Sequence, residues 1–167
     1  MQPVATVWNR RIYLDADVTM HSHVTATVCA CCATLRQISS IQHSLSRPAS
    51  LTLLHALIIS KLDYCSTVLA GARETLLQRL QSVLNAAAWL VFSARKTEHT
   101  SPVLRELHWL RVPGCIKFRL SVVTYCCLHS SALSYLAGTI RPVSRWPMRH
   151  HLWSANIWTL LVPINGL

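Results

Sequence analysis

The stretch of sequence that decides the fold runs from residue 73 to residue 94 and reads RETLLQRLQSVLNAAAWLVFSA. Its apolar residues recur every three or four positions, which places them on one face of an α-helix. These residues are Leu76, Leu77, Leu80, Val83, Leu84, Ala87 and Val91. Polar side chains fall on the other faces; they are Arg73, Gln78, Arg79 and Gln81. The stretch predicts a long amphipathic helix.

Two further helical patterns precede it. Residues 18 to 45 carry an apolar stripe at helical spacing: Val24, Val28, Cys31, Leu35, Ile38 and Leu45. Ser46 then predicts an N-cap, with Pro48 in the first turn of the next helix. That helix carries Leu51, Leu54, Leu57, Ile58 and Leu62 and is expected to stop near Gly71.

Two or three shorter helices are predicted after it. Ser101 as N-cap and Pro102 at the first position open one, with Val112-Pro113-Gly114 at its end. Its inward side chains are expected to be Leu104, Leu107 and Leu110. Another begins near Cys115 and places on one face Ile116, Leu120, Val123 and Cys127. A short sixth helix over residues 133 to 137 is also expected.

These patterns predict an all-α fold, an irregular bundle of about five helices. No dipeptide of the Asn-Gly type lies between alternating runs, so no β-hairpin is expected. The predicted organisation is an irregular N-terminal segment over residues 1–17, a helical domain over 18–140, and an irregular or disordered tail over 141–167.

The charge balance is strongly basic. Sixteen Lys and Arg stand against six Asp and Glu, for a formal net charge of +10. The excess favours polyanionic partners, nucleic acid or an anionic membrane surface, through long-range attraction and counterion release. A domain that has lost an acidic protein partner is an equal alternative.

Seven cysteines without a recognisable secretory signal indicate reduced thiols and a cytoplasmic or nuclear location. His21 and His23 precede Cys29, Cys31 and Cys32, but residues 21 and 29 of one helix lie about 12 Å apart along its axis. Because zinc ligands lie about 2 Å from the shared ion, this set is not expected to bind metal. The sequence predicts no metal and no cofactor.

No complete catalytic site is expected either. Cys65 beside Asp63 and Tyr64 has His55 two turns back, which does not bring a base within hydrogen-bond reach of the thiol. Asp15 and Asp17 form a close carboxylate pair but lack the third ligand that two-metal chemistry needs. No small-molecule substrate is therefore predicted.

The basic side chains are the remaining candidates for a site. Contacts to phosphates are predicted for Arg73, Arg79, Arg95, Lys96, Arg111, Lys117 and Arg119. Trp109 or Tyr125 could stack on a base. The competing interpretation is that these charges lie on ordinary solvated helix faces.

An uncharged stretch from Leu120 to Ile140, flanked by Arg119 and Arg141, is long enough to span a bilayer. It contains His129 and many hydroxyl groups, so it is only weakly apolar and a membrane location is not favoured.

Several longer strings carry a family resemblance. They are LDAD (14–17), LRQI (35–38), LLHALIISKLDYCSTVLAG (53–71), LLQRLQSVLNAAAWLVFSARKTEHTSPVLRELHWLRVP (76–113) and IKFRLSVVTYCCLHSSALSYL (116–136). In these strings the chain resembles the reverse transcriptases of non-LTR retrotransposons of the jockey-like and chicken-repeat-like groups, in the region that follows the palm.

In that family this region is the helical thumb and the part after it, so the resemblance implies a thumb-like domain over residues 18–140. It implies residual, sequence-independent binding of RNA or RNA–DNA hybrid. It also implies no enzymatic activity, because the family's Tyr-x-Asp-Asp motif lies in the palm. Trp89 and Cys126 stand where the family usually has Arg, a sign of decay. The alternatives are a small membrane-associated or structural protein that uses residues 120–140, and an unselected translation product without function.

Overall fold

The computed structural model describes residues 6–64, 66–92, 99–129, 131–137, 141–142 and 160–161. The chain divides into two compact units, Met1–Lys117 and Phe118–Leu167. This boundary lies inside the single helical domain that the sequence predicts for residues 18–140. Each unit is therefore described by itself.

Helices dominate the described residues, which confirms the all-α class. The helices are α1 (His21–Ile41), α2 (Arg47–Leu54), α3 (Ser60–Asp63), α4 (Glu74–Phe92), α5 (Thr100–Glu106), α6 (Val112–Leu128) and the short α7 (Ser134–Ala137). A π-helical turn, His55–Ile59, joins α2 to α3 without a break, so the two form one long helix. Short 3₁₀ turns cover Gln42–Ser44 and Ser66–Leu69.

Helix α4 is the centre of the first unit. Its buried side chains are Leu76, Leu80, Val83, Leu84, Ala87, Ala88 and Val91. They belong to two adjoining apolar clusters, one shared with α5 and the start of α6, the other with α1 and α2. The predicted stripe is confirmed, with Leu77 partly buried and Ala88 added to it.

Helix α1 also buries the predicted stripe. Val24, Cys31, Leu35 and Ile38 are buried, and Val28 packs against both clusters. The predicted break after α1 is confirmed as well. The Ala49 amide donates to Ser46 Oγ at 3.4 Å, and Pro48 lies in the first turn of α2.

Residues 6–15 correct the prediction of an irregular N-terminal segment. Thr6–Asn9 (β1) and Ile12–Asp15 (β2) form an antiparallel hairpin with a two-residue loop. Both loop residues, Arg10 and Arg11, have a positive φ, as in the turn that normally favours Asn-Gly. The Asn-Gly turn signal is therefore absent although the hairpin forms.

The helix boundaries after residue 99 differ from the prediction. Helix α5 begins at Thr100, so Ser101 lies inside it and is not its N-cap. Val112 begins α6 instead of ending α5, because its backbone amide donates a hydrogen bond to Gln81 Oε1 of α4 at 2.8 Å. Leu110 lies in the connection and is 52% exposed, so its predicted inward position is wrong.

Two further details of the helices are corrected. The long α2–α3 helix ends at Asp63, several residues before Gly71, although Gly71 does adopt a positive φ of 83°. In α6, Leu120 and Val123 are exposed while Cys127 is buried, so the predicted common face is only partly correct.

The tail predicted over residues 141–167 is described at four positions only. Arg141–Pro142 (β3) pairs with Leu160–Leu161 (β4) as an antiparallel bridge in the second unit. These four residues are paired with each other, while the rest of the predicted irregular tail lies outside the described residues and stays a prediction.

The core makes a direct stability prediction. Leu54 is fully buried, so Leu54→Ala should lower the free energy of unfolding by about 2–5 kcal/mol. Leu57, on the same helical segment but 40% exposed, is the matched control, and Leu57→Ala should cost less than about 1 kcal/mol. Urea unfolding followed by circular dichroism measures both. Equal losses, or a wild-type chain that melts without cooperativity, would contradict this core.

Candidate nucleic-acid interface

The structure separates the basic residues that the sequence predicts as phosphate contacts. Arg73 is exposed and lines a small groove beside Val18 and Met20. Arg79 is half-buried and donates to Thr25 Oγ1 of α1 at 3.0 Å, so part of its guanidinium is already used.

The other five lie elsewhere or cannot be placed. Arg111 is exposed, donates to Ser101 Oγ at 2.6 Å and lines a different groove from Arg73. Lys117 is exposed at the end of the first unit, and Arg119 is half-buried in the second. The predictions for Arg95 and Lys96 lie outside the described residues.

The two rings predicted for stacking differ in how far they are exposed. Trp109 is half-buried and packs against both core clusters, with the His55 ring centroid 6.4 Å from its own. Tyr125 is 62% exposed in the second unit, with its ring centroid 4.1 Å from that of His129. Tyr125 is thus the more exposed of the two rings.

A cleft of about 600 Å³ between the hairpin, α1 and α3 combines cations with aromatic rings. We call it the hairpin cleft. Its lining residues are Trp8, Arg11, Tyr13, His23, Ala26, Thr27, Ala30, Ser60, Lys61 and Tyr64. None of these residues belongs to the basic set that the sequence predicted.

The rings of the hairpin cleft are held by strand pairing. Trp8 and Tyr13 are direct cross-strand partners, so both side chains project from the same face of the hairpin. Their ring centroids are 4.4 Å apart and their planes are tilted by 56°. Ile12 and Leu14, on the opposite face of β2, pack against the core and fix the hairpin on the first unit.

The cations stand on two walls of the cleft. Arg11 lies in the hairpin loop, and Lys61 lies on α3. Both are exposed, and neither forms a hydrogen bond or ion pair with a described residue. The Tyr64 hydroxyl donates to the Arg10 carbonyl at 2.8 Å, which ties the loop to the end of α3.

The floor of the cleft is made by α1. Ala26, Thr27 and Ala30 are small, which leaves space above the helix, and His23 lies buried beside them. Burial lowers the pKa of His23, although the nearby Asp15 carboxylate acts in the opposite direction. The Ser22 hydrogen bonds lower the pKa of Asp15, and the Ser22 amide donates to Asp15 Oδ2 at 3.2 Å. Asp15 thereby satisfies a free amide at the start of α1.

A signal for this site was present in the sequence. Ile12, Tyr13 and Leu14 alternate between inward and outward positions, as expected of a strand. The hairpin was not predicted because its loop is Arg10-Arg11, and arginine is not a residue that favours positive φ.

The other candidates considered from the sequence were a metal site, the cysteines, and the group of Cys65, Asp63 and His55. Among the described residues, no group of three or more His, Cys, Asp or Glu side chains could hold a metal ion. The six described cysteines form no disulfide, while Cys65 lies outside the described residues. His55 and Asp63 do line one cavity of about 230 Å³, together with Ser66, whose buried hydroxyl has no described partner.

Among the described residues, one helical stretch has the length and apolar composition to cross a membrane, His21–Ser44. Its apolar stripe packs in the core of the first unit, as core helices of soluble proteins also do. In the stretch 120–140, α6 ends at Leu128 and α7 begins at Ser134, so its described part is not one continuous helix.

Comparison of the chain with known protein families, curated proteins and solved structures gives no match.

The buried His23 predicts a pH dependence of stability. The unfolded chain binds a proton near the ordinary pKa of 6.5, whereas burial lowers the folded pKa. The unfolded state therefore takes up more protons below that value, and stability that is complete above pH 6.5 is lost as pH falls. Thermal melts between about pH 7.5 and 5.5 should show this loss.

His23→Gln removes the ionisation and should flatten the decline of melting temperature over this pH range. His43→Gln, at an exposed position of the 3₁₀ turn after α1, is the matched control and should keep the wild-type decline. A decline that is identical in wild type and His23→Gln would rule out His23 as its source.

Proposed function

We propose that this chain is a non-catalytic segment derived from a retrotransposon reverse transcriptase, and that it binds RNA or RNA–DNA hybrid without sequence preference. The helical class agrees with the thumb-like region that the resemblance implies. No catalytic step is assigned to it, because the resemblance covers the region after the palm.

The observation that carries the proposal is the unpaired positive charge. On a chain of net charge +10, six exposed basic side chains form no hydrogen bond or ion pair with described residues. They are Arg10, Arg11, Arg36, Lys61, Arg73 and Arg105. Phosphates of any sequence can neutralise such side chains and release counterions, which is the main source of non-specific affinity.

The distribution of this charge adds to the argument. Three of the six side chains, Arg10, Arg11 and Lys61, lie at or beside the hairpin cleft. The others are scattered over the first unit. Arg111 adds a cation whose guanidinium group already donates a hydrogen bond to Ser101 Oγ. This arrangement supports contacts along a nucleic-acid backbone better than readout of a defined sequence.

A second candidate function is membrane association in which apolar side chains insert into the bilayer. The observation that favours it is a set of exposed apolar side chains in the second unit: Phe118, Leu120, Val122, Val123, Tyr125, Leu133 and Tyr135. Extraction of membranes with alkaline carbonate distinguishes it. A chain that stays in the membrane pellet supports this candidate, and a chain released to the supernatant rejects stable insertion.

Nucleic-acid binding is tested by titrating the purified chain against a labelled RNA and a labelled RNA–DNA hybrid at several salt concentrations. Affinity should fall at least about tenfold between about 50 and 200 mM salt, since about three or more phosphate contacts release counterions. Oligonucleotides of different sequence should bind alike. Negligible binding at low salt, or binding that salt does not weaken, would reject the proposal.

The variant Arg73→Gln should weaken binding and reduce the slope of log K against log salt by about 1, because one phosphate contact is lost. Arg79→Gln is the matched control from the same helical region, since its guanidinium already donates to Thr25. It should change the slope less. The same reduction in both variants would mean that the slope reports net charge and not specific contacts.

A further inference from the structure

We propose that the hairpin cleft binds unpaired nucleotides, so that the chain prefers single-stranded segments and overhangs to blunt duplex. One base would contact the Trp8 and Tyr13 rings, while the adjacent phosphates contact Arg11 and Lys61. The inference rests on the proposed nucleic-acid binding and names the form of nucleic acid that the cleft takes.

The aromatic pair supplies the first argument. Trp8 is 56% exposed and Tyr13 is 36% exposed, although both are large rings that a folded chain usually covers. Their 56° tilt means that neither ring covers the whole face of the other. Ring faces of this kind stack on bases, and they reach a base only when it is not stacked within a duplex.

The size of the cleft agrees with this ligand. A volume of about 600 Å³ lies within the range of about 300–1,000 Å³ that is typical of pockets for small organic groups. The small side chains of Ala26 and Ala30 keep the floor low, so a flat base can lie above α1. A duplex offers the cleft only base edges inside its grooves and its outer backbone.

The polar groups of the cleft match a nucleotide that is not selected by sequence. Arg11 and Lys61 stand on different walls, where they can contact phosphates on the two sides of the stacked base. The lining contains hydroxyl groups but no Asn or Gln, the side chains that read adenine by paired hydrogen bonds. Stacking with two phosphate contacts is tolerant of base identity.

The conformation of the hairpin loop is the last argument. Arg10 has φ of 44° and Arg11 has φ of 67°, values that L residues rarely adopt and that Asn-Gly would adopt readily. The Tyr64 hydroxyl holds the strained loop through the Arg10 carbonyl at 2.8 Å. A loop that tolerates two strained arginines instead of the favoured residues presents positive charge at the mouth of the cleft.

The first experiment compares three labelled ligands with the full chain: a 10-nucleotide single-stranded RNA, a blunt 10-base-pair RNA–DNA hybrid, and the same hybrid with a five-nucleotide overhang. The single strand and the overhang should each bind about tenfold more tightly than the blunt hybrid. Trp8→Ala should weaken single-strand binding by about tenfold and leave blunt-hybrid binding unchanged. Tyr135→Ala, which removes an exposed ring of the second unit that is not among the predicted nucleic-acid contacts, is the matched control and should change neither.

The outcomes separate this inference from the proposed function. Equal binding of all three ligands, with no effect of Trp8→Ala, overturns the inference and leaves nucleic-acid binding in place. Failure of every ligand to bind at low salt rejects both. Adenosine monophosphate is added as a competitor, because it shares the base and one phosphate. Full competition by it at the concentration at which unlabelled oligonucleotide competes would assign the cleft to free nucleotides instead.

The second experiment uses the strain of the loop. The double substitution Arg10→Asn with Arg11→Gly should raise the melting temperature, since both residues then fit a positive φ. It should weaken single-strand binding by about tenfold, since charge at the mouth of the cleft is lost. Unchanged affinity would overturn the inference. Lys61→Gln, which leaves the loop intact, should weaken the same binding by about threefold to tenfold. Arg47→Gln, which removes a guanidinium already paired with Glu106, should not.

Discussion

Two adjacent alanines of α4, Ala87 and Ala88, are both completely buried, and they belong to different core clusters. Neighbouring residues of an α-helix point about 100° apart, so α4 must be covered over a wide arc. Small side chains at these positions let other helices approach closely. Helices α1, α2 and α5 all pack against α4, and this packing fixes α1 as the floor of the hairpin cleft. The position of the cleft thus follows from the shape of one helix.

The hairpin depends on this scaffold for its stability. An isolated two-stranded hairpin is marginal in water, and strained residues such as Arg10 and Arg11 each cost about 1–3 kcal/mol. Burial of Ile12 and Leu14 against the core offsets part of this cost. The Tyr64 hydrogen bond adds about 1 kcal/mol, as a typical neutral bond does. The hairpin therefore forms because the helices bind it, and the cleft between them is a product of tertiary structure.

The buried faces could be predicted from sequence because burial of a helix face imposes a period on the apolar residues, as in Val24, Cys31 and Leu35. The start of α6 could not be predicted in this way, since the Val112 amide donates its hydrogen bond to the side chain of Gln81, thirty-one positions earlier in the chain. The hairpin cleft could not be predicted from the sequence for a related reason. Its cations and rings come from separated segments, and no local pattern records that they meet. The basic residues of the helices were easier to identify and are the more dispersed.

In the proposed binding of nucleic acid, net charge and the cleft contribute in physically different ways. Attraction between exposed charges extends over a Debye length of about 8 Å at physiological salt, so dispersed cations such as Arg73 and Arg105 act on any nearby polyanion. Stacking on Trp8 needs contact and is not screened. Two phosphate contacts to Arg11 and Lys61 account for a salt slope of only about −1.4 on a single strand. A steeper slope must come from the dispersed cations, while affinity that persists at high salt must come from the rings. In this proposal, charge brings the polymer to the surface, and the hairpin determines which part of it is held.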